Sequence, residues 1–582
     1  MKSISLVPEP PEAPMSTPIT PGPSADDGPT AIHPKANPGL SRPSRRKVLG
    51  ALGIGAAAVA TPGVATALDR RRRSADGGNQ AGRRGGGRAD NAGQRGGGRG
   101  LAEPNPDEVA PDRFTRIFDD LNPFADNSEE LREALIEIGR PGGIMDANDP
   151  LEVGPIRLIT EPELSPDNRD NPNATAGTTF LGQFVDHDLT MDAASQLGRP
   201  TSIRRSSNLR TARFDLDSVY GGGPAESPEL YETADQLRFR IEFGGRFEDL
   251  PRDNSGSAII ADPRNDENMM ISGIQCAILG FHNAVLDRVL AQGLDGDLAF
   301  SETQRLVRWH YQWIVVNQYL PEIVGQQLID DILANGRHWF TTNRPRIPVE
   351  FQTSAYRFGH SMIRPSYRAN MAGEGGEPFF AFVFDPATFG QSDPDDLTGG
   401  SRALRRYIGW QTFFDFDDGE VKPNKRIDTK MSTPLFQLPA FAIGAARGEY
   451  VGPTSLATRN LLRHITWGIP SGQDIARATG TEQLSRSDLC MLAPFGARLD
   501  QSTPLFFYVL AEAEQMNDGL TLGPVGGRIV AETFLGLLQM DPTSYLAAEP
   551  NWWPTLRGRE TDNFTMADLL TIAGVDPVSR GE

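Results

Sequence analysis

The stretch Thr179-Phe180-Leu181-Gly182-Gln183-Phe184-Val185-Asp186-His187-Asp188-Leu189-Thr190 constrains this chain more than any other. Read as a helix, Gln183, Asp186 and His187 stand at i, i+3 and i+4 and share one face. Asp188 lies about 100° further round, so a second acidic group points toward a different site. Phe180, Leu181, Phe184 and Val185 cover the rest, which makes this a buried helix carrying four polar groups. A lone histidine in such a place is ordinarily a satisfied core residue. Four polar groups in six positions are another matter, because burying them is costly unless something pairs with them. The pattern points to a built site.

Charge divides the chain. Residues 1–100 carry 15 Lys/Arg against 7 Asp/Glu, and the remainder carries 42 against 69, a net of −27. So acidic a body argues against nucleic acid as a specific partner. The two cysteines, Cys276 and Cys490, form one bond at most, and the expectation is two buried thiols. Residues 1–40 are rich in Pro and Ser and read as a disordered leader. Within 41–67, the pair Arg45-Arg46, an apolar run from Ala51 to Val64 and a closing Ala65-Thr66-Ala67 read as a twin-arginine (Tat-type) export signal. That places the mature protein in the periplasm or outside the cell. Residues 68–105 alternate Arg clusters with Gly triplets, a linker that cannot build a core and is suited to contact with anionic envelope polymers.

From residue 106 to 578 the chain is expected to be one large, mainly α domain with long loops. Ile274, Ile278, Phe281, Val285 and Val289 mark one apolar helical face, and a stripe beginning at Leu306 marks another. The Pro/Gly/Asp-rich interval 371–402 reads as loop. In Thr211-Ala212-Arg213-Phe214-Asp215-Leu216-Asp217, taken as an extended loop, Thr211, Asp215 and Asp217 lie on one side. A hard cation such as calcium wants several such oxygens. An EF-hand through Asp215, Asp217 and Glu226 fails, because Val219 and Tyr220 stand where that loop needs an oxygen ligand and then glycine. Asp262-Pro263-Arg264-Asn265-Asp266-Glu267-Asn268, taken alone, looks like a charged helix start with Arg264 and Glu267 as an ordinary surface pair. Tyr356-Arg357-Phe358-Gly359-His360 places a histidine after an aromatic and a glycine, where a flat macrocycle could approach closely.

These segments, with Asn460-Leu461-Leu462-Arg463-His464, resemble in order the motifs of animal-type haem peroxidases, the peroxidase–cyclooxygenase superfamily. The resemblance implies roles residue by residue. His187 would be the distal acid–base, Arg264 the catalytic arginine, and Gln183 part of the haem pocket. His360 would ligate the iron of haem b, with Asn460 bonded to its imidazole and Arg463 near a propionate. Asp186 and Glu267 would form ester links to the haem. Asn268 stands where myeloperoxidase-like members carry the methionine of a third link, so that bond is expected to be absent. Thr211, the carbonyl of Arg213, Asp215 and Asp217 would bind calcium together with Asp188.

By the same resemblance the chain is expected to be an exported peroxidase that reduces hydrogen peroxide and oxidises phenols, halides or pseudohalides through an oxidised haem. A fatty-acid oxygenase of the same superfamily is the first alternative. Its branch uses a tyrosine three residues before the proximal histidine, where this chain has Arg357. Tyr356, one position away, is expected to point elsewhere. A non-catalytic, calcium-dependent surface-binding protein is the second alternative.

Overall fold

Helical periodicity in the sequence becomes eight principal helices in the computed structural model, which describes residues 113–192, 195–400, 402–439 and 452–581. They are α1 (Glu129–Gly139), α2 (Ala176–Leu189), α3 (Met269–Ala291), α4 (Gly296–Ile314), α5 (Leu456–Trp467), α6 (Leu505–Asn517), α7 (Pro524–Met540) and α8 (Met566–Ala573). The expected leader and export signal and the Arg/Gly-rich stretch lie outside the described residues. The mainly α expectation matches the fold.

Local chemistry sets the helix ends. Ser128 accepts the Leu131 N–H at 3.1 Å to start α1, and Thr565 and Asp568 form a reciprocal capping box at the start of α8. Helix α7 opens at Pro524, and the buried Glu512 of α6 receives the N–H groups of Val525 and Gly526, each at 3.0 Å. Those donors have no partner within their own helix, so the carboxylate joins α6 to α7.

Helix α3 packs against α2, α4 and α8, and α5 packs against α1 and α6. Ile274, Ile278, Phe281, Val285 and Val289 are all buried, as their spacing requires. By length and composition α3 could also cross a membrane, yet 72% of its most apolar window is buried inside the fold. Nearly all of α2 is buried, and only Gln183 and Asp186 keep partial exposure.

Strands are few. β1 (Asp170–Thr175) pairs with β6 (Pro423–Lys425), β2 (Glu242–Phe243) with β3 (Glu248–Asp249), and β4 (Ser366–Asn370) with β5 (Phe379–Phe382), all antiparallel. The last pair corrects the reading of 371–402 as loop throughout. Phe379 and Ala381 turn inward along β5 while Phe380 and Phe382 stay half-buried, a period-2 pattern too short to stand out among prolines and glycines. A second correction concerns the thiols. Cys276 is buried, but Cys490 is exposed, and both are free.

Candidate active site

A cavity of about 1040 Å³, its open mouth included, lies where α2 meets the segments 264–268 and 356–363. Its wall includes Gln183, Asp186, His187, Arg264, Glu267, Asn268, Arg357 and His360. Two glycines shape it. A Cβ on Gly182 would sit 2.5 Å from the Tyr319 hydroxyl, so α2 can approach Tyr319 only without a side chain there. A Cβ on Gly359 would meet nothing within 4 Å, which leaves the backbone beside His360 open. Tyr319 ends a π-helical turn, Val315–Tyr319, that continues α4 and brings the phenol to the cavity wall.

His187 is buried, and its Nδ1 lies 2.9 Å from Asn265 Oδ1. Burial, reinforced by the positive charge of Arg264, pushes the imidazole down to about 3, so it is neutral near pH 7. Arg264 is not the surface partner of Glu267. It is fully buried, donating through Nε and Nη2 to Asp262 at 2.9 and 2.5 Å and through Nη2 to the His187 carbonyl at 3.0 Å. The short 3-10 helix Pro263–Asp266 turns it inward, which a surface-pair reading of i and i+3 could not anticipate. Its Nη1 is buried with no hydrogen-bond partner, and so is Nη2 of Arg357. Two orphaned guanidinium nitrogens in one cavity wall call for an anionic or strongly polar occupant. Burial holds Asp262 against ionising, but Arg264 and Arg210 overcome it and keep its carboxyl well below the usual range.

Gln183 donates through Nε2 to Glu267 and accepts through Oε1 from Asn268 Nδ2, both at 3.3 Å. Burial raises the Glu267 carboxyl to about 8, with Asp262 and Asp186 adding to the rise against Arg264. His360 ends the 3-10 helix Ala355–His360, a tighter turn than the helix its context suggested. Asn460 of α5 places Nδ2 2.7 Å from His360 Nδ1. Arg463 is buried one turn further on, and burial together with the neighbouring Arg357 lowers it to about 9. It stands behind the cavity wall rather than in it.

Tyr356 departs from expectation. It lines the cavity, and its hydroxyl lies 3.1 Å from the Gly182 carbonyl and 2.9 Å from the Tyr319 hydroxyl.

On the other side of α2, Asp188, Asp215 and Asp217 bring ligand oxygens within 4.8 Å of one another. The approach is not made by an extended loop. Leu216 adopts a left-handed conformation (φ 60°), and Asp217 begins a short helix, Asp217–Tyr220. Thr211 joins the group, its hydroxyl donating to Asp215 at 2.8 Å and its N–H to Asp217 at 3.2 Å. Arg213 lies in the same loop, with its guanidinium 3.9 Å from Asp541. Burial and mutual repulsion raise Asp188, and burial with Asp215 takes Asp217 to about 7 against the pull of Arg210. Three carboxylates held this close, Asp188 buried and Asp215 and Asp217 half-buried, fit a divalent cation.

Residues 192–398 match the family model for animal haem peroxidases. Over that segment the chain is similar to the animal haem peroxidase domain. A peroxidasin homologue of Caenorhabditis elegans is 28% identical over 189 residues, 29% of this chain and 14% of that one. Human thyroid peroxidase is 25% identical over 189 residues, 28% and 20% of the two chains. Chorion peroxidase of Aedes aegypti is 22% identical over 407 residues, 64% of this chain and 46% of that one. The chain thus spans less than half the length of each of these relatives. Peroxidase A of Dictyostelium discoideum shares the fold, with a TM-score of 0.51 at 17% identity, covering 79% of this chain and 92% of that one. The animal haem peroxidase family implies a haem cofactor. The cavity suits one, with His187 and His360 in its wall, the two orphaned arginine nitrogens, and Gly359 open beside His360.

Sequence reasoning missed Asn265, Gln275, Asp262 and Arg210 as supports of the site. Only Asp262 carried a local signal, as the acidic residue just ahead of Pro263 and Arg264. Asn265 meets His187 across 78 positions of chain, and no local pattern encodes that contact.

Proposed function

We propose that this chain is a haem peroxidase that reduces hydrogen peroxide and oxidises small donors. The observation that carries this is His187 and the unpartnered Nη1 of Arg264 in the wall of the cavity that also contains His360. Haem, when bound, supplies the two electrons that peroxide reduction consumes and regains them from the donor. His360 would hold the iron through Nε2, which requires the proton on Nδ1. Asn460 then presents its Oδ1 to that proton, half a turn of the amide from the Nδ2 contact of the present structure. On the other wall, Nε2 of neutral His187 takes a proton from entering peroxide and returns it to the departing oxygen, which leaves as water. Nη1 of Arg264 donates to the negative charge that builds as the O–O bond breaks.

Asp186 and Glu267 line the cavity and are the carboxylates proposed to form ester links with haem. Acid–acetone should fail to extract haem from peroxide-matured protein, and the double variant Asp186→Ala/Glu267→Ala should release it. Free extraction from the mature parent would refute the links. We further propose that Asp188, Asp215 and Asp217, with Thr211 and the Arg213 carbonyl, bind calcium, and that the Arg45-Arg46 signal directs export.

The position of Tyr356 lends the oxygenase reading one observation, since a phenol in the wall could be oxidised. Its hydroxyl is already tied to Gly182 and Tyr319, and Arg357 occupies the position from which that branch uses its tyrosine. Peroxide-dependent oxidation of phenols, iodide or thiocyanate, with negligible oxygen uptake on linoleate, is the expected result. Rapid oxygen uptake that is abolished in Tyr356→Phe would replace peroxidase with oxygenase.

A further inference from the structure

His187 is held from behind by two buried amides. Asn265 Oδ1 faces His187 Nδ1 at 2.9 Å, and Asn265 Nδ2 donates to Gln275 Oε1 at 2.9 Å. The exposures of the three residues are 4%, 0% and 1%, so water does not compete for these bonds. Asn265 belongs to the same 3-10 turn as Arg264, and its N–H donates to the Asp262 carbonyl at 3.0 Å. Gln275 projects from the second turn of α3, a rigid buried helix.

An asparagine amide can present either its oxygen or its nitrogen, and a histidine responds with the matching tautomer. Here the choice is made one residue further out. Gln275 offers an oxygen, so Asn265 must turn its Nδ2 toward Gln275 and its Oδ1 toward His187. Nδ1 of His187 must then carry the ring proton, and Nε2 is left as the basic nitrogen. If the Asn265 amide were reversed, two acceptors would meet at Gln275 in a buried site, each unsatisfied, and the reversed amide is disfavoured for that reason. We propose that Asn265 and Gln275 form a two-amide brace that fixes the tautomer of His187 and so presents an unprotonated Nε2 to the cavity. Asn265 and Gln275 are positioning residues, since neither offers a group to peroxide. The inference rests on the acid–base role given to His187 above.

The brace also sorts substitutions by what they leave for Nδ1. Asn265→Asp keeps an oxygen toward Nδ1 and, protonated on the oxygen that faces Gln275 Oε1, should keep the tautomer. Asn265→Leu removes the acceptor. Gln275→Leu leaves Asn265 in place but removes what orients it.

The test uses full-length holoprotein with ¹⁵N-labelled histidine, reduced and bound to carbon monoxide so that the haem is diamagnetic. The ¹⁵N resonances of His187, assigned by their loss in His187→Gln, report which ring nitrogen carries the proton. The parent and Asn265→Asp should show protonated Nδ1 and bare Nε2, while Asn265→Leu and Gln275→Leu should show a tautomer mixture. In stopped-flow measurements the two leucine variants should slow the peroxide step roughly 10- to 100-fold, the usual scale for losing an orienting partner, with the donor step unchanged. A general loss of structure would lower both steps alike and would count against the brace. Protonated Nε2 in the parent, or leucine variants with the parent's tautomer and peroxide rate, would overturn the brace. A parent with the stated tautomer that does not react with peroxide would overturn the peroxidase reading and leave the brace standing.

Discussion

Arg264 owes its position to one carboxylate. Asp262 binds Arg264 through both oxygens and also receives Nε of Arg210 at 2.8 Å, with none of its own surface exposed. Removing one partner from a buried charged group costs about 3–5 kcal/mol, because the remaining charge stays buried and unpaired. Asp262→Ala takes from Arg264 its ion-pair partner and from Arg210 the nearer of two, and should lower unfolding stability about that far in urea titrations. Asp262→Asn keeps the shape but loses the charge, and it should retain most of the haem while slowing the peroxide step. An Asp262→Ala protein as stable as the parent would show that Arg264 is held by something else. The sequence made Arg264 visible as a motif residue, but its burial was not legible, because the same i, i+3 charge pattern with Glu267 is common on exposed helices.

Helix α5 brings a residue-level contact to the scale of an element. It carries Asn460 to His360, and it is itself locked to α6 by His464. The His464 Nδ1–H donates to the Asn460 carbonyl at 3.1 Å, while Nε2 accepts the Phe506 N–H at 3.0 Å and lies 2.9 Å from the Ser354 hydroxyl. That arrangement needs neutral imidazole, since a proton on Nε2 would face the Phe506 N–H. Burial accordingly lowers His464 from 6.5 to about 4. The folded value lies below the unfolded one, so the unfolded chain takes up a proton first as pH falls. The stability that His464 supports is complete above about pH 6.5 and is lost on descent toward pH 4, by about 3 kcal/mol at 1.36 kcal/mol per unit. His464→Gln should remove this part of the acid dependence, measured as the difference in unfolding free energy between parent and variant at about pH 7 and about pH 4.5. A constant difference across that range would contradict the assignment. In the sequence His464 was only an addition to an N-x-x-R pattern; its partner Phe506 lies 42 residues away on another helix.

For the whole molecule, the cluster of Asp188, Asp215 and Asp217 and the cavity are two ends of one polar chain. Asp217 lies 3.5 Å from Arg210, Arg210 bonds Asp262, and Asp262 holds Arg264; on α2, Asp188 adjoins His187. A cation bound at about 100 times its Kd adds about 2.7 kcal/mol of stability by mass action. Chelation should therefore lower the thermal midpoint and slow the peroxide step together, and Asp215→Ala should do the same with less bound calcium. Unchanged metal content, stability and turnover in Asp215→Ala would remove calcium from the account. The helical architecture was legible because long apolar faces such as Ile274 to Val289 repeat at about 3.6 residues. The convergence of Asp188 with Asp215 and Asp217 was legible only through resemblance, since it depends on the left-handed turn at Leu216. The position of Tyr356 was not legible, because a 3-10 turn rotates each residue further than the α-helix its neighbours suggested. The central claim is that His187 and Arg264 act on peroxide in the cavity that His360 opens onto. It is tested most directly by stopped-flow absorption spectra of the haem-loaded chain mixed with hydrogen peroxide, for the parent and His187→Gln. The account predicts a rapid shift of the haem bands in the parent, reversed by a phenolic donor, and a shift about 100-fold or more slower in His187→Gln, the usual scale for a lost general acid–base. Equal rates in the two proteins would contradict it.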